Sequence, residues 1–141
     1  MKGIVADASL VVKYIFEEED SALAISILED SDDVVAPDLI FAECGNVIWK
    51  RARRGGLTLE RAHEALAVVH DLSLQPLSLG ELTADALRIS LAYDHPIYDC
   101  YYIAATIQSG HTLVTADRVL AKLARDVGLE ERVVLLGEDA G

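Results

Sequence analysis

Four acidic residues lie at positions where an unpaired charge would be costly to bury. Asp7 follows the short apolar stretch GIVA, and Asp117 follows the stretch TLVTA. Glu43 lies inside the apolar segment FAECGNVIW, and Asp99 lies among aromatic and small apolar residues in YDCYYIAA. Because burying an unpaired carboxylate is unfavourable, each of these acids needs a partner or a function.

Carboxylates that converge on one place can bind a divalent cation. Without a cation the acids would repel one another, and at least one would have a raised pKa. Mg²⁺ removes this conflict because it takes oxygen ligands and keeps several waters. One or two such ions can activate a water molecule and stabilise the leaving oxygen in phosphodiester cleavage. A single acid is better explained by a helix cap or a surface hydrogen bond, but the four together favour a metal site.

Short apolar strands alternate with helices along the chain. Strands are predicted over 3–6, 34–36, 74–77, 112–114 and 132–136. Helices are predicted after the capping residues Ser9, Asp20 and Thr58, from Asp38 onward, and over 81–93, 98–109 and 117–127. This alternation predicts crossover connections and a parallel sheet covered by helices on both faces. Ligands of such folds lie beyond the carboxyl ends of the strands, and Asp7 follows the first strand directly.

Composition restricts the classes of function that remain. The chain has 141 residues, the usual size of one domain, and a formal net charge of -12, so general binding of nucleic acid requires a local metal, basic patch or basic partner. Cys44 and Cys100 are too few for a disulfide scaffold and are expected to be reduced, buried thiols of a cytoplasmic protein. No apolar run approaches the length of a membrane span, and Asp7 comes too early for a signal peptide.

Four segments, in order, resemble those of a known family: VADAS, FAECGNVIW, YDCYYIAAT and VTADRVLAKLAR. Together they resemble the PIN-domain ribonucleases, and most of all the VapC-type toxins of bacterial and archaeal toxin–antitoxin pairs. The resemblance covers essentially the whole chain, so residues 1–141 are expected to form a single PIN domain. It implies a three-layer α/β/α sandwich with a central, mostly parallel sheet. It also implies a Mg²⁺- or Mn²⁺-dependent endoribonuclease, an antitoxin partner and a homodimer.

The resemblance also implies roles for particular residues. The acidic quartet of the family falls on Asp7, Glu43, Asp99 and Asp117, of which Asp7 and Asp99 match the usual magnesium ligands. Glu43 and Asp117 match acids that complete the site, partly through water. The polar support positions of the family fall on Ser9, Asn46 and Thr115, although capping or local hydrogen bonding explains these three equally simply. Asn46 lies three residues after Glu43, on the same helical face, and could orient that carboxylate.

The basic run and the tyrosines can each be interpreted in two ways. Lys50 and Arg54, in the run KRARR, either complement the helix dipole or form a phosphate track roughly 10 and 16 Å from Glu43 along the helix axis. The tyrosines at 98, 101 and 102 could stack an unpaired base, but core packing is expected for at least two of them. The four histidines are expected to be surface or capping residues. The pair His95-Pro96 is expected to break a helix and could reshape the rim of the site.

Two other classes of function remain as alternatives. A phosphoryl-transfer hydrolase of the phosphatase type also places an aspartate after the first strand, but it needs a second aspartate two residues later, where this chain has Ser9. A receiver domain would need a further acid near the first strand and a lysine after a late strand, and neither is apparent. A catalytically silent binding module is disfavoured by the complete acidic quartet.

Overall fold

A parallel sheet covered by helices forms the molecule, which is described over residues 2–138 by a computed structural model. The strands are β1 (Gly3–Ala6), β2 (Asp33–Pro37), β3 (Leu74–Leu77), β4 (Thr112–Thr115) and β5 (Val133–Leu135). The helices are α1 (Ala8–Ile15), α2 (Ser21–Asp30), α3 (Leu39–Arg53), α4 (Leu59–Asp71), α5 (Leu79–Tyr93), α6 (Ile97–Ser109) and α7 (Arg118–Asp126). A 3₁₀ turn at Glu130–Arg132 precedes β5.

The strands are ordered β3-β2-β1-β4-β5, and each neighbouring pair is parallel. The chain builds outward from β1 through β2 to β3, and then returns to add β4 and β5 on the other side of β1. The direction of winding therefore reverses between β1 and β4. In open parallel sheets this reversal opens a crevice at the carboxyl ends of the strands. The prediction of a mostly parallel sheet is confirmed.

Alternate residues of the central strand serve two separate cores. Ile4 and Ala6 of β1 pack with α1, α2, α3 and α4, whereas Val5 packs with α5, α6 and α7. All three side chains are fully buried, as expected for a parallel strand with helices on both faces. The predicted three-layer α/β/α sandwich is therefore confirmed.

Some helix boundaries differ from the prediction for local reasons. The α1 helix begins at Ala8, so the prediction that Ser9 caps it is wrong. Asp20 takes the position before α2 but forms no capping bond with its side chain, and its backbone is left-handed with φ 66°. Thr58 does cap α4, because its hydroxyl accepts a hydrogen bond from the Arg61 N–H at 3.1 Å.

The two cysteines are buried and free of disulfides, as predicted. Burial, together with the nearby carboxylates of Glu43 and Asp7, raises the pKa of the Cys44 thiol to about 12. Burial also raises the pKa of Cys100. Both thiols therefore remain protonated and unreactive at neutral pH. Within residues 2–138, no helix is both long and apolar enough to cross a membrane.

Candidate active site

The crevice between β1 and β4 contains three of the four predicted acids. Asp7 directly follows β1, and Asp117 lies two residues beyond β4. Glu43 reaches the same crevice from α3. They contribute to an open cleft of about 400 Å³ that is lined by Asp7, Ala8, Ser9, Val12, Lys13, Glu18, Glu43, Val47, Ala116 and Asp117. The sheet topology thus gathers acids from distant parts of the sequence.

Two hydroxyl groups fix the carboxylate of Asp7. Ser9 and Thr115 both donate to Asp7 Oδ2, at 2.6 and 2.5 Å. The hydroxyl oxygens in turn accept hydrogen bonds from backbone groups, Ser9 from the Ala116 N–H and Thr115 from the Asp117 N–H, each at 2.9 Å. Because the backbone groups can only donate, they direct both hydroxyl protons toward Asp7. Ser9 and Thr115 thus hold the Asp7 carboxylate in one orientation, and their support of a functional site stays a prediction.

The charge of Asp7 is nevertheless poorly compensated. Its side chain is buried, with 7% of the residue exposed. Burial raises the pKa of Asp7, and the nearby charge of Asp117 raises it further, although the hydrogen bonds from Ser9 and Thr115 act in the opposite direction. The effects that raise the pKa of Asp7 outweigh those of the hydrogen bonds. The folded protein therefore carries an electrostatic cost at this position that a cation would relieve.

Asp117 combines a capping role with a place in the cleft. Its Oδ1 accepts hydrogen bonds from the N–H groups of Val119 and Leu120, at 2.9 and 3.3 Å, and so caps α7. Asp7 precedes α1 in the same way but forms no capping bond with its side chain. The simple explanation by helix capping therefore holds for Asp117 and not for Asp7.

Glu43 is held by a residue that the sequence interpretation assigned to core packing or base stacking. The phenol of Tyr102, on α6, donates to Glu43 Oε1 at 2.6 Å. Burial raises the pKa of Glu43, as do the charges of Asp7, Asp99 and Asp117, whereas the Tyr102 hydrogen bond lowers it. Since the charges of all three other acids act on Glu43, the quartet forms one electrostatic cluster.

Asp99 lies at the edge of this cluster rather than on the lining of the cleft. Its Oδ2 is hydrogen-bonded to His95 Nε2 at 2.8 Å, with the side chains 30% and 18% exposed. His95 therefore contacts an acid of the cluster, a contact that the expected surface or capping role did not include.

A basic side chain that was not predicted lines the cleft. Lys13, at the last turn of α1, lines the cleft. Its ammonium group donates a hydrogen bond to the carbonyl of Glu19 at 2.7 Å and forms an ion pair with the Glu18 carboxylate at 3.6 Å. Arg51 also pairs with Glu18 and stacks over Phe16. A basic residue two turns beyond Asp7 was the signal for Lys13.

The predicted basic track and amide support lie outside this cleft. Lys50 and Arg54 are exposed and are not part of its lining, and their contact with RNA remains a prediction. Asn46 is also exposed, and within residues 2–138 no hydrogen bond joins it to Glu43. Its support of the carboxylate likewise remains a prediction.

The donor set suits a hard divalent cation that keeps much of its water. Among residues 2–138, no group of three or more His, Cys, Asp and Glu side chains is arranged to bind one ion together. Mg²⁺ is commonly bound through one or two carboxylates plus waters, and it does not need such a cage. A buried, uncompensated Asp7 with Glu43 and Asp117 in the same cleft matches that requirement.

The chain is similar to known proteins along most of its length. Residues 4–126, which include all four acids, match the PIN domain. Ribonuclease VapC3 of Pyrobaculum aerophilum is 31% identical over 121 residues, which is 84% of this chain and 92% of that protein.

Solved structures share the fold. VapC20 of Mycobacterium tuberculosis, described as a sarcin–ricin loop cleaving toxin, superposes with a TM-score of 0.67 at 15% identity, over 84% of this chain and 93% of that one. VapBC2 of Rickettsia felis, bound to a DNA fragment from its promoter, superposes with a TM-score of 0.64 at 12% identity, over 86% of this chain and 92% of that one. The chain therefore belongs to the PIN-domain family and, within it, to the VapC proteins.

Proposed function

We propose that this protein is a ribonuclease toxin of a toxin–antitoxin pair that cleaves RNA phosphodiester bonds with the help of Mg²⁺ or Mn²⁺. The proposal includes a single PIN domain over residues 1–141. The observation that carries it is the acidic cluster at the crevice between β1 and β4, in a chain related to ribonuclease VapC3. Phosphodiester chemistry needs concentrated oxygen ligands of this kind.

Asp7 and Asp99 would hold the metal, with Glu43 and Asp117 completing the site. When bound, the ion supplies positive charge that stabilises the negative charge developing on the phosphate oxygens. Ser9 and Thr115 keep the Asp7 carboxylate in one orientation through their hydroxyl protons. His95 restricts the Asp99 carboxylate in the same way.

Glu43, which lines the cleft and whose carboxylate is held by Tyr102, would accept a proton from the attacking water. Burial and the charges around it raise its pKa in the metal-free protein. As the water oxygen bonds to phosphorus and the bond to the leaving oxygen breaks, the water proton would pass to Glu43, and the leaving oxygen would take a proton from solvent water. Lys13, which lines the cleft, would contact a phosphate of the RNA.

The antitoxin, the homodimer and a cytoplasmic location belong to the same proposal. Large apolar side chains are exposed on α5 and α6, namely Leu87, Leu91 and Tyr98, at 48%, 75% and 64%. Exposed apolar groups of this size support a protein contact, with an antitoxin or with a second copy. The unpaired cysteines support a reducing compartment.

The phosphatase alternative is less well supported by the geometry. The position where a phosphatase would carry its second aspartate is Ser9, which donates to Asp7 and has no charge of its own. Ser9 therefore supports one acid and does not act as a second acid. Turnover of a small phosphate ester without any RNA cleavage would favour that alternative.

The test is cleavage of total RNA by the purified protein, followed by sequencing of the new ends. Cleavage should need Mg²⁺ or Mn²⁺ and stop with EDTA. Asp7→Asn and Asp99→Asn should abolish it, whereas Asp85→Asn, which removes an exposed acid paired with Arg88 on α5, should not. Cleavage by either site variant at the parent rate would contradict the mechanism, and a folded parent protein that cleaves no RNA would contradict the function.

A further inference from the structure

The contact between Tyr102 and Glu43 joins the two halves of the molecule at the acidic cluster. Tyr102 lies on α6 and packs in the core with α5 and α7, whereas α3, which carries Glu43, packs on the other face of the sheet. The hydrogen bond therefore connects helices on opposite faces of the sheet, beyond the carboxyl ends of the strands. Tyr102 also lies three residues after Asp99, so one helix supplies an acid of the cluster and the partner of another acid.

The phenol is built to remain a donor. Tyr102 is 1% exposed, so its hydroxyl needs a hydrogen-bond partner inside the protein. The O···O distance of 2.6 Å to Glu43 Oε1 is typical of a hydroxyl that donates to an ionised carboxylate, which is a strong hydrogen bond. Burial and the neighbouring acids raise the pKa of Tyr102 well above its usual value, which keeps the proton on the phenol.

Glu43 needs this restraint because its neighbours repel it. The charges of Asp7, Asp99 and Asp117 all disfavour its ionised form, and the residue is only half-buried. A glutamate has three rotatable side-chain bonds, and in the absence of a cation repulsion would turn its carboxylate toward solvent. Among residues 2–138, the Tyr102 phenol is the side chain that hydrogen-bonds to the Glu43 carboxylate.

We propose that Tyr102 is a positioning residue, whose hydroxyl holds the Glu43 carboxylate in the acidic cluster before metal and RNA bind. This inference rests on the proposed function for its effect on cleavage, but not for its effect on metal binding. The residue does not touch the reacting atoms and acts only through Glu43.

Tyr102→Phe tests the proposal because it removes one oxygen atom and keeps the buried ring. Tyr101→Phe is the matched control: it removes a phenol from the same helix, and that phenol is hydrogen-bonded to Thr83 at 2.9 Å rather than to an acid. Mn²⁺ affinity is measured by isothermal titration calorimetry, and RNA cleavage is measured at saturating Mn²⁺. Partners of groups that contact a metal typically contribute about 10–100-fold to affinity or activity, and we expect losses of that size for Tyr102→Phe in both measurements. Tyr101→Phe should match the parent protein.

A double-mutant cycle assigns the effect to the contact. In a Glu43→Ala background, Tyr102→Phe should cause no further loss of Mn²⁺ affinity. An equal further loss in that background would show that Tyr102 acts elsewhere, and would overturn the proposal. Unchanged affinity and cleavage for Tyr102→Phe alone would overturn it as well.

A second variant covers the case in which Tyr102→Phe does not fold, as judged by circular dichroism. Glu43→Asp keeps the charge but draws the carboxylate back by one methylene, away from the phenol, and should show the same loss of Mn²⁺ affinity. Parental affinity in Glu43→Asp would overturn the proposal. If the parent protein binds Mn²⁺ but cleaves no RNA, the proposed function fails, and the Mn²⁺ titrations still decide the role of Tyr102.

Discussion

Asp7→Asn should separate stability from activity in this protein. Asp7 is 7% exposed, and its carboxylate accepts hydrogen bonds from Ser9 and Thr115. An asparagine keeps one oxygen that can accept both hydroxyl protons, and it removes the charge. Its amide group would face the acidic cluster as a donor. The substitution therefore removes repulsion while it retains the local hydrogen bonds.

The direction of the pKa shift decides the sign of the effect on stability. Burial and Asp117 raise the pKa of Asp7 even though two hydroxyl groups stabilise its charge, so folding favours a neutral side chain here. Relief of such strained sites commonly contributes about 0.5–2 kcal/mol to the free energy of unfolding. A gain of about 1 kcal/mol corresponds to a rise in Tm of roughly 3–5 °C for a chain of this size.

The assay is thermal unfolding, followed by circular dichroism in EDTA and again in Mg²⁺. In EDTA the variant should be the more stable protein. In Mg²⁺ the parent should gain about 2.7 kcal/mol at a metal concentration of 100 Kd, which exceeds the gain of the variant and reverses the order. RNA cleavage by the variant should fall by more than about 100-fold, because removal of even an indirect metal partner can cost that much.

Two results would refute this reasoning. A lower Tm for Asp7→Asn in EDTA would mean that the charge of Asp7 stabilises the fold. An equal Mg²⁺-dependent rise in Tm for both proteins would mean that Asp7 does not hold the metal. Asp85→Asn serves as the control for removal of a single negative charge, since its side chain is exposed.

Three other predictions follow from the same contacts. Thr115→Val removes one donor to the Asp7 carboxylate and keeps the shape of the side chain. Urea unfolding should therefore show a free energy of unfolding that is lower by about 1–3 kcal/mol. An unchanged urea midpoint would contradict the role of that hydroxyl. The raised pKa values of Asp7 and Glu43 mean that the folded state binds more protons than the unfolded state. In EDTA the parent should therefore gain stability relative to Asp7→Asn as the pH falls from 7 toward the ordinary aspartate pKa of 3.8. A pH-independent difference between the urea midpoints of the two proteins would contradict this prediction. Lys13→Gln should weaken RNA binding in fluorescence anisotropy and lower by about 1 the slope of log affinity against log salt concentration. Arg54→Glu tests the exposed basic track in the same assay. Unchanged RNA binding in either variant would remove that residue from the interface.

The sheet and two of its acids could be predicted because they depend on local patterns. Short apolar runs such as GIVA and TLVT predict buried strands, and strands separated by helices predict a parallel sheet. In that topology every strand end points to the same edge. The positions of Asp7 and Asp117 then follow from the strand boundaries alone, without knowledge of any side-chain contact.

The partners of Glu43 and Asp99 could not be predicted from local patterns. Glu43 and Tyr102 are 59 residues apart in the sequence, and their contact exists only because α3 and α6 meet at the edge of the sheet. His95 was interpreted together with Pro96 as a helix break, which gave no reason to orient its ring toward Asp99. Ser9, which the family resemblance placed among the supporting residues, was also predicted to be a cap, but its hydroxyl is already occupied by Asp7 and Ala116.

The hydrogen bonds of Ser9 and Thr115 would make the proposed metal site ready before any metal binds. The backbone N–H groups of Ala116 and Asp117, which follow β4, orient the two hydroxyls, and the hydroxyls orient the carboxylate that follows β1. Formation of the β1–β4 pair therefore fixes the direction of the Asp7 carboxylate as a consequence of folding. A carboxylate held in this way loses little conformational entropy when a cation binds, so the repulsion stored in the folded protein is available to favour binding.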